Sequence, residues 1–134
     1  AITVAYKAAP PNLDSDQSTD WTVTAVMNHV YEGLYEFNAS SEAVPHLAKS
    51  CDIENDGKTY VFHLREGVLF HDGSEMKAED VKASFDRWFA VNEMGISVSE
   101  YVDSVDVVDD YTVYVFEINI VCDIVCAYIR DSKL

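Results

Sequence analysis

Two adjacent residues, His71 and Asp72, are of types that could carry out catalysis. His71 could act as a general base, and the Asp72 carboxylate could orient it. Adjacent residues of a strand point to opposite faces, which works against a direct pair. No Ser or Cys lies in a motif that would make it a nucleophile. We therefore assign no catalytic residue and predict that the pair belongs to a turn that holds a hairpin on a helix. A small hydrolase is the weaker alternative.

Metal-ligating residue types are present, but their spacing does not suit a metal site. The four histidines are His29, His46, His63 and His71. No two of them form a tight pair such as H-x3-H. Cys122 and Cys126 lie four residues apart, but zinc usually takes four ligands and no second pair stands near them. With Cys51 they form an odd set, which cannot make a complete disulfide framework. We expect no metal ligand and no cofactor.

The charge balance argues against two classes of partner. The 134 residues include 9 Lys and Arg against 24 Asp and Glu, a net charge of −15 at pH 7. Nucleic acids and anionic lipid surfaces are bound through clustered basic residues, so neither is expected as a partner. No apolar run reaches the roughly 18 residues that would suggest a membrane span. An apolar content of 49% instead indicates a folded domain.

Alternating apolar residues predict two β-hairpins. In the first, residues 58–65 pair with residues 51–53, and Tyr60, Phe62 and Leu64 share one face of the strand. In the second, residues 102–108 pair with residues 111–118 around Asp109-Asp110. The Asp-Gly pairs at 56–57 and 72–73 mark turns, because Gly adopts positive φ without a Cβ penalty.

Helical spacing of apolar residues predicts two main helices. The first covers about residues 21–33, with Gly33 at its C-terminal end. The second covers residues 78–90, with a charged, solvated face opposite an apolar stripe of Ala78, Val81, Phe85, Trp88 and Phe89. We also predict a first strand at 2–6, a short strand at 34–37, a turn at 38–41 and a single helical turn at 45–49.

An ordered series of short motifs runs through this pattern: YEGL at 31–34, PHLAKS at 45–50, DGKTY at 56–60, FHLR at 62–65, FHDG at 70–73 and AEDV at 78–81. The series resembles the extracytoplasmic solute-binding proteins of family 5, which serve ATP-binding-cassette importers of peptides, nickel and related solutes. The resemblance runs from about residue 1 to about residue 117. Members of that family are usually several times longer, with two lobes around a cleft.

The resemblance implies an α+β fold, part of the N-terminal lobe of a two-lobed type II periplasmic-binding-protein fold, in which antiparallel hairpins pack with two main helices. Residues 1–134 are then a single partial domain, and residues 119–134 form a tail that departs from the family pattern. The implied function is solute binding for an importer, by closure of two lobes over a small peptide or similar solute. The implied location is extracytoplasmic, in the periplasm or lipid-anchored at the cell surface. The importer's membrane subunits would be partners of the full-length protein.

In this family the loop after the first strand lines the cleft and can pair its backbone with an extended peptide. The matching residues here are Ser18, Thr19, Asp20, Trp21 and Thr22. Trp21 offers a flat apolar surface and an N–H donor, and Asp20 could receive an ammonium group. Asp20 could equally cap the helix that follows, so ligand contact and capping both stay open. The main alternative function is a ligand-sensing domain of a regulator or receptor with the same fold.

Overall fold

The computed structural model describes residues 3, 5, 8–18 and 20–117. Three parts of the prediction lie wholly or mainly outside the described residues: the strand at 2–6, Thr19, and the tail at 119–134 with Cys122 and Cys126. The described part contains helices α1 (Trp21–Met27), α2 (Ala78–Val91) and α3 (Glu93–Ser99). Its strands are β1 (Tyr35–Phe37), β2 (Ala43–Pro45), β3 (Ala48–Glu54), β4 (Thr59–Leu64), β5 (Val102–Asp109) and β6 (Thr112–Glu117).

The main sheet has the strand order β3-β4-β6-β5, and each neighbouring pair is antiparallel. Both predicted hairpins are confirmed, and the pairing of β4 with β6 joins them, with Phe62 opposite Val113. That central pair keeps a regular register, whereas shifts occur in the outer pairs, near Ala48 on β3 and at both ends of β5. Strands β1 and β2 form a separate two-stranded sheet.

The core lies between one face of the main sheet and α2. Phe85 is completely buried and Trp88 is 3% exposed, while Phe89 is partly buried against the same cluster, as the apolar stripe predicted. Tyr60, Phe62 and Leu64 of β4 are buried with them. Burying one large apolar side chain contributes roughly 1.5–3 kcal/mol. This contact is therefore the main source of stability for the described fold.

Helix α1 is shorter than predicted, because it ends at Met27 rather than near Gly33. Beyond it the amides of His29 and Val30 donate to carbonyls three residues earlier, at 3.1 and 2.9 Å. Such bonds tighten the last turn and close the helix. The Gly33 carbonyl instead accepts from the amide of Leu47 at 3.1 Å. The apolar residues after Met27 therefore continue the helical spacing without belonging to the helix.

The helical turn predicted at 45–49 is wrong. The chain is extended through β2 and β3, with a bend at His46 and Leu47. The amides of His46 and Ala48 both donate to the carbonyl of Leu34, at 2.9 and 3.1 Å. Because a neighbouring segment satisfies these backbone donors, they do not form the i→i−4 bonds of a helix.

Helix α3 is a further element that the sequence pattern did not predict. Gly95 and the β-branched Val98 give it a low helix propensity. Asn92 compensates by capping it, since its side-chain oxygen accepts from the amides of Met94 and Gly95 at 3.0 and 3.2 Å. A Cβ atom at Gly95 would lie 2.1 Å from the carbonyl oxygen of Trp88. Glycine at this position therefore allows α3 to pack directly against α2.

Candidate functional site

The segment with His71 and Asp72 has the bonds of a turn. The Asp72 carboxylate accepts from the amide and hydroxyl of Ser74 at 2.8 and 2.7 Å. A ring nitrogen of His71 lies 3.2 Å from the carbonyl oxygen of Val30, which ties the turn to the segment after α1. These contacts confirm the predicted turn, although the segment that His71 contacts follows α1 and is not itself a helix. Across the described residues, no group of three or more His, Cys, Asp or Glu side chains is placed to hold a metal ion.

The residues predicted to contact a ligand lie where the chain enters α1. We call Ser18, Asp20, Trp21 and Thr22 the α1 start. Thr19, the remaining residue of the predicted set, is outside the described ranges. The Ser18 hydroxyl accepts from the amide of Asp20 at 3.2 Å. The Asp20 carboxylate accepts from the amide and hydroxyl of Thr22, at 2.8 and 2.6 Å, which makes Asp20 the N-cap.

The electrostatics of Asp20 leave it charged at neutral pH. The Thr22 hydroxyl, and then the Thr22 amide, donate to the carboxylate and lower the pKa of Asp20 below its ordinary value. Only one of its two oxygens is used in these bonds to Thr22. Asp20 is exposed, so capping does not prevent this carboxylate from meeting a cation from solvent.

Trp21 is the first residue of α1, and its side chain faces outward. It is 65% exposed, whereas Thr22 and Val23, the next two residues, are buried. An indole combines a large apolar surface with one N–H donor, so it can pack on an apolar group and bind an acceptor at the same time. The α1 start therefore presents an exposed ring at Trp21 and an exposed carboxylate at the preceding residue, Asp20.

In the loop before α1, side-chain oxygens repeatedly accept a hydrogen bond from the amide two residues later. The side-chain oxygen of Asn12 accepts from the amide of Asp14 at 3.0 Å, and Asp14 accepts from the amide of Asp16 at 3.1 Å. Ser18 and Asp20 repeat the same two-residue step. Short polar side chains form such bonds readily in turns. Polar residues occupy every second position from 12 to 22, and this pattern is a sequence signal from which the arrangement could have been predicted.

Arg87 and Asn92 connect that loop to the helices. The Arg87 guanidinium pairs with the carboxylates of Asp14, at 2.5 Å, and Asp16. The side-chain amide of Asn92 donates to the backbone carbonyl of Asp16 at 3.2 Å. The bond from Arg87 lowers the pKa of Asp14 below its ordinary value. Sequence reasoning placed Arg87 on the solvated face of α2 and missed these pairs, because more than seventy positions separate the partners.

A second polar cluster fixes the start of α2 on the β5–β6 hairpin. The Glu75 carboxylate accepts from the Tyr111 hydroxyl at 2.7 Å and from the amide of Gly67 at 2.8 Å, and Lys77 lies 3.0 Å from it. These contacts, the Tyr111 hydroxyl first, lower the pKa of Glu75 to about 2. The amide of Ala78 donates to the carbonyl of Asp110 at 2.8 Å. The cluster supports the scaffold rather than the α1 start.

Comparison with known proteins decides the family. The sequence model of bacterial extracellular solute-binding proteins, family 5 Middle, matches residues 42–116, more than half of the chain. The chain belongs to this family. The resemblance carried by the short motifs is thereby confirmed. In the part of the chain that the structure describes, no helix has both the length and the apolar character needed to cross a membrane.

Curated relatives and a solved structure agree with this assignment. The glutathione-binding protein GsiB of Pectobacterium atrosepticum is 35% identical over 114 residues, which cover 82% of this chain and 22% of the relative. The dipeptide-binding protein of Escherichia coli is 36% identical over 104 residues, or 63% of this chain and 19% of the relative. The chain thus spans about a fifth of the length of these relatives.

The solved structure is the periplasmic binding protein DppA of Helicobacter pylori in complex with the peptide STSA. It matches with a TM-score of 0.70 and 30% identity, over 78% of this chain and 24% of DppA. The predicted fold, a partial domain of a type II periplasmic binding protein, is confirmed.

Proposed function

We propose that this chain forms part of the N-terminal lobe of the solute-binding component of an ABC importer, and that its solute is a short peptide. Family membership supports the solute-binding role. The peptide assignment is supported by the relatives, whose names specify glutathione and a dipeptide. Such solutes share an ammonium group, carboxylate groups and amide bonds, so a site for them needs a carboxylate, hydrogen-bonding groups and an apolar surface.

The α1 start meets these requirements, and the observation that carries the proposal is the exposure of two successive residues, the Asp20 carboxylate and the Trp21 indole. The indole would pack on a solute side chain. The carboxylate, kept ionised by its bonds from Thr22, would attract the solute ammonium group. A second lobe would close over the solute and exclude water, which raises the strength of such polar contacts.

The remaining parts of the proposal concern the whole protein. It would act outside the cytoplasm, in the periplasm or lipid-anchored at the cell surface, and deliver solute to the importer's membrane subunits. It would not be an enzyme, since neither His71 nor Asp72 has the arrangement of a general base with its orienting carboxylate. The 134-residue chain by itself should bind peptide more weakly than about 1 μM, because ligand sites bury most of a small ligand and this chain would supply one side.

The test uses a chimera in which this chain replaces the matching segment of the Escherichia coli dipeptide-binding protein. Calorimetry with the dipeptide Ala-Ala measures affinity. Trp21→Ala should weaken binding by about tenfold or more, as expected for an aromatic contact residue. Phe37→Ala is the matched control, because Phe37 is 58% exposed on β1, away from the α1 start in sequence.

Asp20→Asn separates capping from ligand contact, because Asn is an equally good N-cap but has no charge. It should weaken binding of Ala-Ala and leave binding of N-acetyl-Ala-Ala unchanged, since the acetylated dipeptide lacks the ammonium group. Asp103→Asn, at an exposed carboxylate on β5, is the control. Unchanged affinity for Ala-Ala in both Trp21→Ala and Asp20→Asn would refute the proposed site.

A further inference from the structure

The loop before α1 is linked to helix α2 and to the α2–α3 corner through side chains. Local side-chain bonds shape the loop, but bonds within a loop do not fix its place on the protein. We propose that Arg87 and Asn92 are positioning residues for the α1 start, which they hold in the conformation used for solute contact. This inference rests on the proposed function of the α1 start.

Arg87 provides the charge-based part of this anchor. Its guanidinium binds two different carboxylates, those of Asp14 and Asp16, and Asp16 is only 8% exposed. A carboxylate withdrawn from water needs such a partner, because an unpaired buried charge is strongly destabilising. The fork of a guanidinium can reach two acceptors at once, whereas a lysine ammonium group is a single point charge. Arg87 is therefore suited to fix two points of the loop together.

Asn92 provides the second part of the anchor and links it to the core. Its side-chain nitrogen donates to the Asp16 carbonyl, while its side-chain oxygen caps α3. The residue is 8% exposed, and the corner between α2 and α3 is packed tightly where Gly95 meets Trp88. Any movement of the loop at Asp16 would therefore break a buried bond to a rigid corner.

The anchor lies close enough to the α1 start to control it. Asp20 lies four positions after Asp16, so the chain between them spans at most about 14 Å even when fully extended. Asp20 is fixed in turn by its N-cap bond to Thr22. With Asp16 held from one side and Thr22 buried on the other, the chain that carries Trp21 has little freedom to move.

The first experiment measures amide hydrogen exchange by NMR on the 134-residue chain. In Arg87→Gln, amide exchange at Asp16 and Asp20 should rise by about tenfold. This is the size expected when charged but partly solvated hydrogen bonds are lost. Exchange at Val61 and Val113 in the central strands should not change. Lys82→Gln is the matched control, since Lys82 lies on the same helix and pairs with the exposed Asp86 at 3.3 Å.

Two further variants keep the test valid if Arg87→Gln folds poorly. Arg87→Lys should restore only part of the protection, because a point charge cannot serve both carboxylates. Asn92→Asp retains the oxygen that caps α3 but loses the donor to Asp16, so exchange at Asp16 should rise while α3 stays protected. Unchanged exchange at Asp16 in Arg87→Gln and Asn92→Asp, or an equal rise in the central strands, would overturn the inference.

The second experiment measures Ala-Ala affinity in the chimera described above. Arg87→Gln should weaken binding by about tenfold, in parallel with its effect on exchange, and Lys82→Gln should not. Full affinity in Arg87→Gln despite faster exchange would overturn a positioning role in binding. If Trp21→Ala and Asp20→Asn also leave affinity unchanged, the proposed function fails as well. Loss of affinity in those two variants but not in Arg87→Gln leaves the proposed function intact and removes only the inference.

Discussion

The α2–sheet core and the loop before α1 are stabilised in opposite ways. In the core, large apolar side chains such as Phe62 and Phe85 are completely buried between a helix and a sheet. In the loop, polar side chains bind amides two residues away, and one arginine joins two carboxylates. The core gains stability from area removed from water, which depends little on direction. The loop depends on a few directional bonds, each of which matters for its position.

The difference shows how a surface segment can be placed accurately without being part of the core. The ion pairs of the loop add less to the free energy of unfolding than burial in the core does, because the Arg87 side chain is partly exposed. They nonetheless restrict where the chain can lie. Substitutions in the core should therefore act mainly on the free energy of unfolding, and substitutions in the loop mainly on local exchange and on binding.

Phe85→Ala should give the largest loss of stability, roughly 3–5 kcal/mol, because it removes a fully buried ring and leaves a cavity. Urea denaturation followed by circular dichroism measures the change. Trp88→Ala, at 3% exposure, should fall in the same range. A loss below about 1 kcal/mol for either variant would mean that the α2 stripe does not form the core.

Gly95→Ala decides between two opposing effects on α3. Alanine favours a helix over glycine by about 1 kcal/mol, but its Cβ would collide with the backbone oxygen of Trp88. Backbone atoms cannot move aside as a flexible side chain can, so we expect a net loss of roughly 1–3 kcal/mol by urea denaturation. Ser97→Ala, on the exposed face of α3, is the control and should be nearly neutral. A stabilised Gly95→Ala would contradict the close packing of α3 on α2.

Asn92→Ala tests the residue that belongs to both regions. It removes the cap of α3 and the bond to the loop together, and should cost roughly 1–2 kcal/mol. Asn92→Asp should cost less in the same urea titration, because the capping oxygen stays. Equal losses for the two variants would show that the bond to Asp16, rather than the cap, carries the contribution of Asn92 to stability.

The smallest expected effect is the pH dependence contributed by Glu75. Its pKa is about 2 in the folded chain, against an ordinary value of 4.5. Because the folded pKa is the lower one, this stabilisation is complete above about pH 4.5 and is lost as the pH falls toward about 2. Urea midpoints measured across that range should fall less steeply in Glu75→Gln than in the unmodified chain. Asp103→Asn, an exposed control, should retain the slope of the unmodified chain.

The sequence predicted the apolar part of the fold well, for a physical reason. Alternating residues on β4 and the helical stripe on α2 reflect a requirement to bury one face, and a face is visible in a single sequence. Both hairpins and α2 followed from that requirement. Helix α1 was predicted too long, because Val30 and Tyr31 continue the helical spacing beyond Met27 in a turn.

Elements that depend on distant partners could not be predicted in the same way. Residues 45–49 are extended because Leu34 and Gly33 accept their backbone bonds. Helix α3 exists despite poor propensity because Asn92 caps it and Gly95 fits against α2. The residues of the α1 start were predicted from the family resemblance, and their contact with a solute stays a prediction. The bonds of Arg87 and Asn92 to the loop before α1 required the structure.

The borders of the main sheet have a consequence for solubility. Within the described residues, β3 and β5 are the outer strands, and an outer strand can recruit a strand from another molecule. Both outer strands contain register shifts, which the central β4–β6 pair lacks. Both also carry charged side chains: Lys49, Asp52 and Glu54 on β3, and Asp103, Asp106 and Asp109 on β5. Like charges and an irregular edge oppose edge-to-edge pairing. Part of the net charge of −15 therefore lies where it would oppose edge-to-edge pairing of this sheet.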